Sequence, residues 1–223
     1  TGELSASNSL VGSQTSDAVG NGGVTLLSGS SFLTRSGNWN NDRGAITWWD
    51  GSHAHVGEVS ASNSLVGSTD ADFIGSGALT VLGNGDLVLI SPLWDNPAGG
   101  IDVGAVTQLS GQNLIGELDS SNSLVGSSDL DRIGSAGLWL LGNDRYLVRS
   151  PQWDNGAVIN AGAITWVDGA TPLVGEVSAL NSLVGSQTGE AVGVSGSIFA
   201  IDDDRSLLVN PSWNGNRGAV TWF

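Results

Sequence analysis

Short apolar runs, broken by glycine and small polar residues, recur along the whole chain, and none extends into a helical stripe of ten or more positions. In one stretch Leu79-Thr80-Val81-Leu82 and Leu87-Val88-Leu89-Ile90 flank Gly83-Asn84-Gly85-Asp86. Two β-prone runs around an Asn-Gly centre predict a hairpin. A second hairpin is predicted from Leu138–Leu141 and Tyr146–Val148 around Gly142-Asn143-Asp144-Arg145. Ala105-Val106-Thr107 and Ala163-Ile164-Thr165-Trp166 predict a third strand. A fourth covers the stretch from Gly-Glu-(Leu/Val) to Leu-Val-Gly, interrupted by a Ser-Asn-Ser turn.

The pattern repeats. Asn8-Ser9-Leu10-Val11-Gly12 returns at Asn63, Asn122 and Asn181, in steps of 55, 59 and 59 residues. Gly2-Glu3-Leu4 returns at Gly57, Gly116 and Gly175. An acid-x-aliphatic-Gly signature begins at Asp17, Asp72, Asp131 and Glu190, and a tryptophan follows at Trp39, Trp94, Trp153 and Trp213. Gly-Ala-(Ile/Val)-Thr closes each copy at Gly44, Gly104, Gly162 and Gly218. The expected fold is all-β: a single domain of four units over residues 13–67, 68–126, 127–185 and 186–223 plus 1–12. Four antiparallel strands A to D at this repeat length predict the blades of a β-propeller. The chain opens at Thr1 within a repeat, as a mature segment or a fragment would, and its last copy has no D strand after Gly218. Three arrangements follow: the N-terminal strand completes the last blade and closes a ring, two chains pair into eight blades, or strand D inserts into the next molecule.

The units resemble the FG-GAP repeats of integrin-α-type propellers. The matching residues are Asp131-Arg132-Ile133-Gly134, Leu147-Val148-Arg149-Ser150-Pro151 and Gly162-Ala163-Ile164-Thr165-Trp166. They are closer still to tandem repeats of large secreted bacterial adhesins of the filamentous-haemagglutinin type, in which Ser-Pro-x-Trp-Asp-Asn and Asn-Ser-Leu-Val-Gly elements recur. The resemblance covers essentially the whole chain. It implies an extracellular or bacterial cell-surface location and a binding or adhesion role. Integrin-type hairpins often carry a calcium loop of alternating aspartates. Of the turns here only Asp202-Asp203-Asp204-Arg205 is acidic enough to consider. Calcium needs six to eight oxygens, so a plain turn and no cofactor are expected.

Charge narrows the partners. Twenty-two acids face seven basic residues, all arginine, for a net charge of −15. Nucleic acid and anionic membranes both require a basic surface, so neither is expected. No apolar run reaches the length of a membrane span. Cysteine is absent, which excludes disulfides and cysteine-ligated metals.

Catalytic candidates are few, and no enzyme activity is expected. His53 and His55 have no counterparts in the other copies and read as solvated loop residues. No nucleophile elbow, phosphate-binding loop or His-Glu-x-x-His occurs. The best binding constellation is the loop between strands B and C. It holds Trp39 with Asn41, Trp94 with Asp95 and Asn96, Trp153 with Asp154 and Asn155, and Trp213 with Asn214. An aromatic face beside amides and carboxylates suits a sugar or a cell-surface protein. In an up-and-down blade the D–A loop falls at the same end, which brings Asp17, Asp72, Asp131 and Glu190 near these tryptophans. A competing reading makes the tryptophans wedges between blades, with Asp and Asn closing their loops as Asx turns. Trp48, Trp166 and Trp222 read as packing residues, and Glu3, Glu58, Glu117 and Glu176 as solvated strand-edge charges.

Overall fold

The hairpins form where the turn chemistry placed them. The computed structural model describes residues 2–109, 115–194, 197–201 and 205–222. A short N-terminal strand, β1 (Leu10–Val11), precedes the first full repeat, which is built from β2 (Val24–Leu26), β3 (Phe32–Ser36) and β4 (Ala45–Trp49), then β5 (Gly57–Glu58) and β6 (Leu65–Val66). The second repeat contains β7 (Leu79–Val81), β8 (Leu87–Ser91), β9 (Ala105–Leu109), β10 (Gly116–Glu117) and β11 (Leu124–Val125). The third contains β12 (Leu138–Leu140), β13 (Tyr146–Ser150), β14 (Ala163–Val167), β15 (Gly175–Glu176) and β16 (Ser182–Val184). The fourth contains β17 (Ser197–Ala200), β18 (Ser206–Asn210) and β19 (Ala219–Trp222). The turn between β7 and β8 is held by the Asp86 amide donating to Asn84 Oδ1 at 2.8 Å. The acidic turn considered for calcium, Asp202 to Asp204, lies outside the described residues.

Each of the first three repeats forms the expected antiparallel set of four. The order is β2-β3-β4-β6 in the first, β7-β8-β9-β11 in the second and β12-β13-β14-β16 in the third. The D stretch, however, does not enter one sheet. It is cut in two by a turn, and its halves join different repeats. Leu65–Val66 pairs antiparallel with β4 of its own repeat, while Gly57–Glu58 pairs in parallel with Leu10–Val11 of the preceding D stretch. The same parallel joint recurs between Gly116–Glu117 and Leu65–Val66, and between Gly175–Glu176 and Leu124–Val125. Every D stretch therefore hydrogen-bonds one repeat to the next.

Packing follows the same order. One face of the first sheet (Leu33, Ile46) meets Leu87 and Leu89 of the second. The other face of the second (Val88, Ile90, Val106) meets Tyr146 and Val148 of the third, whose Leu147 and Ile164 meet Leu208 of the fourth. Inner strands are covered on both faces, so β8 is buried at all five positions. That is why their sequences read as continuous apolar runs rather than alternating ones.

Of the three arrangements open from the sequence, closure of a ring by the N-terminal strand is not seen among the described residues. β1 lies on β5, and the only strand paired with β19 among the described residues is β18. The N-terminal stretch does not complete the last sheet. Both the hydrogen bonds and the apolar clusters join each repeat to its neighbour in chain order, and no cluster of described residues joins the fourth repeat to the first.

Candidate functional site

The loop after strand B and the loop after strand D meet, and in the first three repeats a carboxylate ties them. Asp131 Oδ2 accepts from the amides of Ser127 and Ser128, both at 2.8 Å, within its own loop. Its Oδ1 accepts from the amide of Asp154, the residue after Trp153, at 2.8 Å. Asp72 does the same with Ser68, Thr69 and Asp95, and Thr69 Oγ1 adds a bond of 2.6 Å. Asp17 does so with Ser13, Gln14 and Asn40. The four acids are all buried. Burial pushes the carboxyls of Asp72 and Asp131 above their ordinary value of 3.8, against the pull of the hydrogen bonds they accept.

The fourth repeat departs from this geometry. Glu190 is one methylene longer, and its Oε2 accepts from Ser186 and Gln187 at 2.7 and 3.2 Å. Its Oε1 is buried with no hydrogen-bond partner, so the tie to the tryptophan loop is not made.

The tryptophans sit directly behind these carboxylates. Trp94 is completely enclosed and donates from Nε1 to Ser68 Oγ at 3.1 Å. Trp39 and Trp153 are also buried, whereas Trp213 is 38 % exposed. Each buried indole shares a cluster with the aliphatic residue of the following Gly-Glu-(Leu/Val): Trp39 with Val59, Trp94 with Leu118, Trp153 with Val177. Their rings lie inside the protein with no open face. The polar residues beside them close the loop. Asp95 Oδ1 accepts from the Asp102 amide at 2.6 Å, Asp154 Oδ1 from Asn160 at 2.7 Å, and Asn96 Oδ1 from Ala98 at 3.0 Å. Asn155 Nδ2 donates to the Gly185 carbonyl, and Asn214 Oδ1 accepts from Gln187 Nε2. Asn41 is exposed and reaches Asp70 at 3.5 Å. Only the Asn96–Ala98 bond is an Asx turn; the others tie the loop to itself or to a neighbouring loop over longer spans.

The remaining sequence candidates lie apart from this loop. His53 is exposed and pairs with Asp50 at 2.6 Å, while His55 meets the edge of Trp49. Trp166 and Trp222 are exposed, and Trp48 is partly covered by the second repeat. Glu58, Glu117 and Glu176 are exposed on their strands, and Glu3 is exposed outside any strand. Among the described residues no group of three or more His, Cys, Asp or Glu side chains is placed to hold a metal, and no helix is long and apolar enough to cross a membrane.

Sequence reasoning missed a second constellation, the clasp of the D stretch. Asn122 Nδ2 donates to the Glu117 carbonyl at 2.9 Å, and its Oδ1 accepts from the Asp119 amide. Ser123 Oγ then lies 2.7 Å from Thr107 Oγ1 on the neighbouring strand. The same bonds recur at Asn63 with Ser64 and Thr47, and at Asn181 with Ser182 and Thr165. The signal was the verbatim return of Asn-Ser-Leu-Val-Gly in all four copies, the least varied segment of the repeat.

The comparison with known families gives one result. Residues 1–21, 26–76, 81–135 and 140–194 match a single family model, a repeat of unknown function (DUF5650). The second, third and fourth matched segments begin at the end of strand A, so that frame keeps the hairpin turn, the tryptophan loop, the clasp and the acid loop together. No curated protein matches the chain.

Proposed function

The chain belongs to the DUF5650 repeat family, and from that premise we propose that it is a non-enzymatic structural module, a row of hydrogen-bonded repeats that builds length in an extracellular, bacterial cell-surface protein. One observation carries this reading: the repeated polar residues that would have formed a binding site are consumed in closing the loops within each of the first three repeats, while the D stretches join one repeat to the next. Asp17, Asp72 and Asp131 spend both carboxylate oxygens on backbone amides, and Trp39, Trp94 and Trp153 are buried beneath the D stretch. The adhesin resemblance supports the location and the role in adhesion, which the array serves as a stalk or spacer. Repeat arrays suit that task because each unit is stabilised by its neighbours. The acidic surface keeps such arrays from clumping.

Asp131→Ala tests the reading. It removes the acceptor of three part-buried backbone amides, at a cost of about 2–3 kcal/mol, which lowers the melting temperature by roughly 4–12 °C in a chain of this size. Thermal melts followed by circular dichroism, run beside a glycan array, give the readout. A variant that melts with the wild type but loses glycan capture would place these carboxylates in a binding site and overturn the reading.

A further inference from the structure

We infer that Asn84 is a site of spontaneous chemical modification: it converts to aspartate and isoaspartate through a cyclic imide with Gly85, and the conversion loosens the joint between the second and third repeats. This chemistry is independent of the structural role proposed above.

The reaction needs an asparagine followed by a residue whose amide nitrogen is unhindered. The chain has four Asn-Gly pairs, at Asn21, Asn84, Asn155 and Asn214. The Gly85 nitrogen loses its proton to water and attacks Cγ of Asn84. The new N–C bond closes the imide ring, and Nδ2 leaves as ammonia after taking up a proton. Water then opens the ring at either carbonyl. One product is aspartate; the other is isoaspartate, whose main chain runs through the former side chain and is longer by a methylene. Nothing is oxidised or reduced, and water is the only co-reactant.

The side chain and the glycine amide must be free to meet, and the fold restrains the four pairs unequally. Gly22 donates its amide to the Arg35 carbonyl at 2.9 Å, and the Asn21 side chain donates to Asn38. Asn155 Nδ2 donates to the Gly185 carbonyl at 3.1 Å, and its main chain pairs with Val158 in both directions. Asn214 Oδ1 accepts from Gln187 Nε2 at 2.7 Å, across two loops. Asn84 and Gly85, by contrast, are exposed at the tip of the hairpin between β7 and β8. The Gly85 amide donates only within its turn, to the Leu82 carbonyl at 3.0 Å, and such a turn opens without disturbing a sheet. The Asp86 amide donates to Asn84 Oδ1 at 2.8 Å, the oxygen that gains charge as Gly85 attacks, and so favours the step.

The position of Asn84 gives its conversion a structural effect. Two hairpin turns, 83–86 and 143–145, meet there with the loop at Gly169. A Cβ at Gly83 would fall 2.7 Å from Asp144 Oδ1, and Gly169 packs so closely on the Asp144 carbonyl that no Cβ would fit. Asn84 Nδ2 donates to Asp86 Oδ2 at 3.2 Å and reaches the Gly169 carbonyl at 3.4 Å. Both acceptors are shared with Gln108 Nε2, at 3.0 and 2.6 Å. Conversion removes the Nδ2 donor and sets a carboxylate beside Asp86, against the Gly169 carbonyl and close to Asp144. Like charges so placed repel. In isoaspartate the lengthened main chain also spoils the turn geometry that the hairpin needs.

Timed incubation in mildly alkaline buffer at physiological temperature, followed by peptide mass spectrometry, tests the inference. In the folded chain Asn84 should convert about five- to tenfold faster than the other three, the margin set by the longer-range hydrogen bond each of those must break first. In concentrated urea all four should convert at closely similar rates. Asn84→Asp, which supplies one product outright, should lower the melting temperature by about 2–4 °C, and by clearly less in a Gln108→Leu chain, whose joint has already lost its polar contacts. Asn84→Gln, whose longer side chain closes the ring far more slowly, should keep its melting temperature through an incubation in which the wild type drifts down. A folded chain in which another pair converts before Asn84, an Asn84→Asp variant that melts with the wild type or loses as much in the Gln108→Leu chain, or an Asn84→Gln chain that drifts as the wild type does overturns the inference.

Discussion

In the second repeat Trp94 is enclosed and Val106 is covered, while in the fourth the same positions, Trp213 and Val220, face solvent. The residue types and the strand order are the same in both. What differs is the cover: the second repeat has its own D stretch and another sheet after it, and no described residue plays either part for the fourth. Burial in this fold is thus conferred jointly by the D stretch and by the adjacent repeat, as expected of an array stabilised in part through its interfaces.

The tryptophans sharpen the comparison most. Trp94→Ala opens a cavity in a closed core and should cost about 3–5 kcal/mol, whereas Trp213→Ala removes a ring that is already in part solvated and should cost about 1 kcal/mol. Chemical denaturation of the two variants measures the gap, and equal losses would break the comparison.

The glycines before strand C come next. Gly104 and Gly218 share nearly the same positive φ, +74° and +76°. A Cβ at Gly104 would fall 2.3 Å from the Ile133 amide nitrogen of the following repeat, while at Gly218 nothing comes nearer than 3.7 Å. Gly218→Ala therefore carries only the backbone strain of about 1–2 kcal/mol, and Gly104→Ala adds a backbone clash that brings it to about 3 kcal/mol or more. Melting temperatures of the pair give the readout.

A polar joint between the second and third repeats should cost less. Gln108 stands where three other repeats have tryptophan, and it accepts from Tyr146 Oη at 2.9 Å and donates to the Gly169 carbonyl at 2.6 Å. Gln108→Leu leaves the buried Tyr146 hydroxyl unpaired and should cost about 1–3 kcal/mol. Restoring the wild-type melting temperature by adding Tyr146→Phe would confirm that the lost bond, and not packing, is responsible.

The smallest effect is a pH slope. Burial raises the carboxyls of Asp72 and Asp131 above 3.8, so the folded chain holds those protons more tightly than the unfolded one. Between 3.8 and the raised values the folded state binds more protons, and these two groups add stability as the pH falls and withdraw it as the pH rises. Melts of the wild type and of Asp72→Asn/Asp131→Asn between neutral pH and pH 4 should converge or diverge accordingly, with the wild type gaining on the variant as acid is added. Parallel curves would show that the two carboxyls do not titrate differently on folding.

Much of this was legible in the chain. The hairpins at Gly83–Asp86 and Gly142–Arg145 rest on turn residues that need positive φ, a requirement satisfied within four residues. Both fall where the spacing places them. The meeting of Asp131 with the Trp153 loop was also legible, because strand alternation puts both loops at one end of a sheet. The purpose of that meeting was not. An acid beside a tryptophan reads alike as a sugar site or as a loop closure, and the three amides on each of Asp17, Asp72 and Asp131, which no sequence pattern displays, support the second.

By itself the sequence determined that the chain is all-β, that it holds four copies of one unit, and that each copy is an antiparallel set entered through a tight hairpin. These are consequences of local turn preference and of apolar patterning, which act over a few residues. Tertiary structure alone decided that each D stretch is divided between two sheets, that Gly57–Glu58 lies on Leu10–Val11, and that β1 and β19 are left without each other. A two-residue strand such as Gly-Glu has almost no pairing preference of its own. The leucine or valine that follows it is buried with the tryptophan of its own repeat, and the Gly-Glu pair then lies against the D stretch of the preceding repeat, a contact that exists only once both repeats have folded.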